Sequence, residues 1–136
     1  MKYRIQFSLL TIVLVGLIFS SCDKNEAELK IRELRGDWTW TASCGGFSGA
    51  CSYPDNENYK SIQITNDKFT ERANGIVTID ISYEITNTRI SETNYPYEVD
   101  YELTLEDGSI IEMTLFKKLN KLAIGNNMFI DYYEGQ

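Results

Sequence analysis

The chain has 136 residues, enough for one domain, with a formal net charge of −7 and no histidine. So acidic a surface repels phosphate backbones, and nucleic acid is not an expected partner. The lack of histidine excludes Ser-His-Asp and Cys-His catalysis and any His-ligated zinc site; no enzyme activity, metal or cofactor is expected. Only two prolines are present, and β-branched residues and tyrosine dominate the apolar set, which favours strands.

The first 21 residues have the layout of a secretory signal: Lys2 and Arg4 give a basic start, Ile5–Phe19 is a mostly apolar run, and Ser20 and Ser21 lead into Cys22. The run is shorter than the roughly 20 residues that a membrane-spanning helix prefers. Both basic residues of this leader precede Cys22, so the remainder is more acidic than the whole.

Leu17-Ile18-Phe19-Ser20-Ser21-Cys22 resembles a bacterial lipoprotein lipobox. The resemblance implies cleavage before Cys22, a diacylglyceryl thioether on its sulfur, and a membrane partner held through the lipid. The following acidic stretch, residues 23–28 (DKNEAE), resembles the surface-export tether of Bacteroidota lipoproteins, which implies the outer membrane and the cell surface. A plain solvated linker is the alternative reading of the same six residues.

Within 22–35, Ala27, Ile31 and Leu34 fall at helical spacing and Gly36 stands where a helix stops, so a short helix is expected. From residue 36 to 136 the period is two. Trp38, Trp40 and Ala42 alternate with polar residues; so do Ile62 and Ile64; a strand around Phe69 covers 68–73. Asn74-Gly75 is a hairpin signal. Val77 to Ile85 alternate after it, a weaker strand covers 88–93, and Tyr97 to Leu105 alternate up to the turn Asp107-Gly108. Ile111, Met113 and Leu115 return, and two segments, 121–125 and 128–133, finish the chain around Gly125-Asn126-Asn127.

Eight or nine strands joined by tight turns make a meander with one apolar face, which either closes as an antiparallel up-and-down β-barrel or stacks as a β-sandwich. Such a barrel is filled by side chains or holds one small ligand.

Gly36-Asp37-Trp38 matches the G-x-W of the first strand of lipocalin-like barrels. With the loop Gly45-Gly46-Phe47-Ser48-Gly49 and Pro54 after it, the run 38–54 resembles the start of small lipocalin-like lipoproteins of Bacteroidota. The resemblance implies the closed barrel rather than the sandwich. A T-D-Y motif and a closing-strand arginine over Trp38 are absent.

With Cys22 spent on lipid, Cys44 and Cys51 remain. Two cysteines cannot supply the usual four ligands of a structural zinc site, and their spacing is not that of a C-x-x-C redox pair. In an exported protein they most simply form a disulfide. That disulfide either braces the first barrel loop or presents it: Phe47 at the tip, flanked by Gly45, Gly46, Ser48 and Gly49, is a candidate anchor for a protein partner such as a protease to be inhibited.

Trp38, Trp40, Tyr83, Tyr97 and Tyr101 are candidates to line a pocket for a small apolar or amphipathic ligand; as aromatics at period two they also read as plain core. Asp80, Glu84, Asp100 and Glu102 fall on polar strand faces and read as solvated. Residues 55–58 offer oxygen ligands but lack the spacing of an EF-hand loop, so they read as a polar turn. The functions these features allow are ligand binding in the barrel, protein binding through the Cys44–Cys51 loop, or a structural role in the envelope.

Overall fold

A computed structural model describes residues 31–91, 98–125 and 128–136. The proposed lipidation site Cys22, the tether, Tyr97 and most of the expected helix lie outside the described residues; of that helix, 31–34 are helical. The compact unit that carries the fold runs Leu34–Gln136.

Nine strands follow in order: β1 (Gly36–Gly45), β2 (Ala50–Ser52), β3 (Lys60–Ile64), β4 (Lys68–Ala73), β5 (Ile76–Ser91), β6 (Glu98–Leu105), β7 (Ile110–Phe116), β8 (Lys121–Gly125) and β9 (Phe129–Gly135). From β3 to β9 each strand pairs antiparallel with the next, and β9 pairs back onto β1 along Trp38↔Gly135 to Gly45↔Phe129. That last pairing closes an eight-stranded up-and-down barrel and rules out the sandwich. β2 is the extra strand. It shares an edge of β1 with β3: β3 takes Gly36 to Thr39, β2 takes Ser43 to Gly45, and residues 53–59 loop out between them.

Turn chemistry sets the hairpins. Asn74 and Gly75 have φ of 53° and 78°, the doubly left-handed pair that a tight two-residue hairpin requires. Bulges at Trp40/Ala42, Glu71/Arg72 and Ile85/Asn87 bend the sheet. The third corrects one expectation. Residues 76–91 are one continuous strand rather than one strand and a weaker second: the bulge shifts the parity of the apolar residues, and the shift reads in sequence as a break. β5 pairs with β4 through its first half and with β6 through its second, the stagger of a tilted barrel.

The inward faces make one core of Leu34, both tryptophans, Ile62, Ile64, Phe69, Tyr83, Val99, Tyr101, Leu103, Leu105, Met113, Leu115, Leu122 and Tyr133. The base, where the chain enters, is shut by Leu34, which is fully buried. Trp38 Nε1 donates to Leu34 O at 3.0 Å, Arg35 donates to Asn66 at 2.8 Å, and Gln136 N donates to Asp37 O at 3.0 Å. The upper end carries the loops 46–49, 53–59, 74–75 and 106–109 and the adjoining ends of β8 and β9.

Candidate functional site: the upper mouth of the barrel

Strand parity decides which polar side chains look inward. Lys60 shares the face of Ile62 and Ile64, Glu71 that of Phe69, and Asp131 that of Tyr133. Past the β1 bulge, Ser43 pairs with Asp131 on that same inward side. Four polar residues thus stand at the upper end of an otherwise apolar interior.

Three of them are bonded together, while Glu71 accepts from Thr78 instead. Ser43 Oγ donates to Asp131 Oδ1, and Lys60 Nζ donates to Asp131 Oδ2 at 3.2 Å. Lys60 and Asp131 have side chains about one-third exposed (31% and 30%), so their ion pair sits at the water boundary. The Lys60 ammonium lies 5.2 Å from the centroid of the Trp40 ring, within cation–π range. Trp40 is 2% exposed, and its Nε1 has no hydrogen-bond partner, the one such side-chain atom among the described residues. Burial, then the charges of Asp131 and Glu71, push the Tyr133 phenol above its ordinary value, so it stays a neutral hydroxyl.

Of the expected ligand residues, Trp38, Trp40, Tyr83 and Tyr101 all lie in the core, at 4%, 2%, 7% and 2% exposure. Their roles differ. The Trp38 N–H is spent on Leu34, and the Tyr83 hydroxyl donates to Thr65 O at 2.7 Å, so both tie down the base. Trp40 stands at the mouth. Lys60, Asp131, Ser43 and Glu71 were not among the expected site residues, although parity with Ile62, Tyr133 and Phe69 marks three of them as inward in the sequence itself.

Cys44 and Cys51 form the disulfide, bonding directly opposed residues of β1 and β2. The loop beyond it is held at both ends: Gly49 N donates to Gly46 O at 3.2 Å and Gly46 N donates to Met128 O at 2.9 Å. Gly45 is obligatory here, because a Cβ would stand 2.1 Å from Met128 O. Phe47 is fully exposed; Phe129, Met128, Ile76 and Ile110 are also exposed at this end of the barrel. Asp55 Oδ1 accepts from the amides of Glu57 and Asn58, so residues 55–58 are a self-capped turn. Among the described residues no group of three or more His, Cys, Asp or Glu side chains is placed to hold a metal ion.

A concavity of about 470 Å³ lies elsewhere, on the outer wall of β5–β8, where Asn87, Arg89, Asp100, Glu102, Glu112 and Thr114 border it. One pair of its charges is matched, and two hydroxyls bond to its carboxylates. Arg89 binds Asp100 at 2.8 Å, Thr114 donates to Asp100, and Thr86 donates to Glu102. Likewise Asp80 is held by Lys68 and Thr70, which keep its carboxyl below the usual range.

The chain matches no protein-family model, no curated protein and no solved structure.

Proposed function

We propose that the protein is an envelope lipoprotein with a lipocalin-like barrel, held to the outer membrane by acyl chains on Cys22, whose barrel binds a small amphipathic ligand at its upper mouth. The observation that carries this reading is the Trp40 indole, buried with its N–H unmatched beneath a polar cluster at the rim. A buried donor without an acceptor costs about 1–3 kcal/mol, so a native chain that keeps one calls for an explanation. A bound acceptor is such an explanation. The exposed apolar residues around the mouth supply surface for a ligand's tail.

Titration of a fluorescent fatty-acyl probe tests the binding. A saturable signal lost on substituting Trp40→Leu is expected; no saturable signal from the folded protein sinks the reading. Mass spectrometry of the amino-terminal fragment tests the anchor, and an unacylated Cys22 removes it.

A second reading rests on Phe47. A fully exposed aromatic on a loop tied by a disulfide and two backbone hydrogen bonds is preorganised to enter a partner protein's pocket. Phe47→Gly would then abolish capture of that partner while leaving the thermal midpoint in place; capture at the wild-type level discards the idea.

A further inference from the structure

The hydrogen-bonding capacity of the mouth is unevenly spent. Asp131 has both carboxylate oxygens occupied, one by Ser43 and one by Lys60. Glu71 receives Thr78 on one oxygen. On the donor side, an ammonium carries three N–H groups and Lys60 commits one to Asp131; the indole N–H of Trp40 commits none. Lone pairs remain on both carboxylates, but none is bonded to the enclosed Trp40 N–H, and that donor is the buried group left without an acceptor.

Charge narrows the choice. Lys60 is balanced by Asp131, and Glu71 adds a further negative charge on the same inward face. A carboxylate head group would bring another charge of the same sign into a partly dry site, and an ammonium head group brings no acceptor. A carbonyl of an amide or ester supplies two lone pairs and no charge.

Access narrows the mechanism. The Trp40 N–H is enclosed, and the side chain over its ring is Lys60. Lys60 is held there by an ion pair about one-third exposed to water, and pairs so exposed are weak. Its long stem reaches solvent readily.

From this, and resting on the ligand-binding reading above, we infer that Lys60 is a displaceable cover over Trp40, and that the site beneath it takes the neutral carbonyl of an amide- or ester-bearing amphipath. The ligand carbonyl accepts from Trp40 Nε1, and Lys60 swings to the rim.

The two tryptophans make this testable in the full chain, because the Trp38 N–H is already bonded and the Trp40 N–H is not. The full chain in lipid nanodiscs, with nitrogen-15 in its indoles, is titrated with N,N-dimethylhexanamide, hexanoate and hexyltrimethylammonium. The expected result is a saturable downfield shift of the Trp40 indole proton with the amide alone and no movement of Trp38. Hexanoate is expected to bind at least about ten-fold more weakly. Lys60→Ala, at a partly exposed position, is expected to tighten amide binding several-fold, and Trp40→Phe to weaken it about five-fold, the loss of one neutral hydrogen bond.

Hexanoate binding as tightly as the amide overturns the head-group assignment and leaves the binding reading standing. Weaker amide binding by Lys60→Ala makes Lys60 a ligand rather than a cover and overturns that half. Amide binding with an unmoved Trp40 signal overturns the site. Failure of all three probes overturns the binding reading itself, and this inference with it.

Discussion

Replacing both Cys44 and Cys51 by serine removes a cross-link that closes a loop of about eight residues. In the chain-entropy account, the cross-link is worth about 2.5 kcal/mol if the native loop stays ordered without it. The structure argues for less. β2 is exposed at all three of its residues and adds nothing to the core. β1 keeps its place without β2, since Ser43, Cys44 and Gly45 pair on the other edge with Asp131, Ile130 and Phe129. Once uncross-linked, residues 46–52 can fray while the barrel stands. The native state then regains much of the entropy that the unfolded chain regains, and the net loss falls below the full figure. Urea unfolding followed by tryptophan fluorescence, with amide hydrogen exchange on both forms, measures this. A loss of at most about 2.5 kcal/mol is expected, with an unchanged m-value and faster exchange confined to the loop and β2. Loss of tryptophan near-ultraviolet dichroism, or a penalty of about 4 kcal/mol, would refute the view that this arm is an appendage.

Leu34→Ala should cost about 2–5 kcal/mol in the same urea assay, because it empties a fully buried site at the base; a cost under about 1 kcal/mol would mean that the entering segment does not plug the barrel. Burial pushes the Tyr83 phenol up to about 12, with Asp67 adding and Arg35 opposing, and Tyr133 shifts the same way. Both folded-state values lie above that of a free phenol, about 10. The stability they confer is therefore intact below pH 10 and drains away as pH rises through about 12. Phenolate absorbance should show a late step that coincides with unfolding, and a single step near pH 10 with the fold retained would contradict it. Gly49→Ala, at φ 61° with open space around it, should cost about 1–2 kcal/mol. Gly125→Ala, at φ 140° with a Cβ 2.2 Å from Phe129 O, should cost several times more; equal midpoints for the two variants would refute the close approach of β8 and β9.

The wall of the barrel is readable in the sequence because its residues obey one local rule. Alternation from Val77 to Ile85 and from Val99 to Leu105, with Asn74-Gly75 and Asp107-Gly108 as turns, lays out the hairpins before any contact is known. Closure is not local: the pairing of Trp40 with Tyr133 joins residues from opposite ends of the chain, and only the resemblance to lipocalin-like chains pointed to it. β2 escaped notice because Ala50-Cys51-Ser52 has no apolar face and is held by its neighbours. The mouth was half legible. Lys60 and Asp131 are in phase with buried residues, but a charged residue at the end of a strand ordinarily reads as solvated, and the bond between them joins residues 71 apart in the sequence. That Trp38 and Trp40 differ, one N–H matched and the other not, depends on Leu34 folding under the base, which no period reports.

Gln136 bonds to Asp37 and Thr39 beside the point where the chain enters, while residues 53–59 cross the opposite rim outside any strand. The order in which the strands are strung is thus separable from the barrel they build. A short linker joining Gln136 to Leu34, with new ends cut within 55–58, would yield a circular permutant that keeps every pairing. Hung from a surface by those new ends, it would turn the mouth toward the support, so one barrel can be mounted in either orientation.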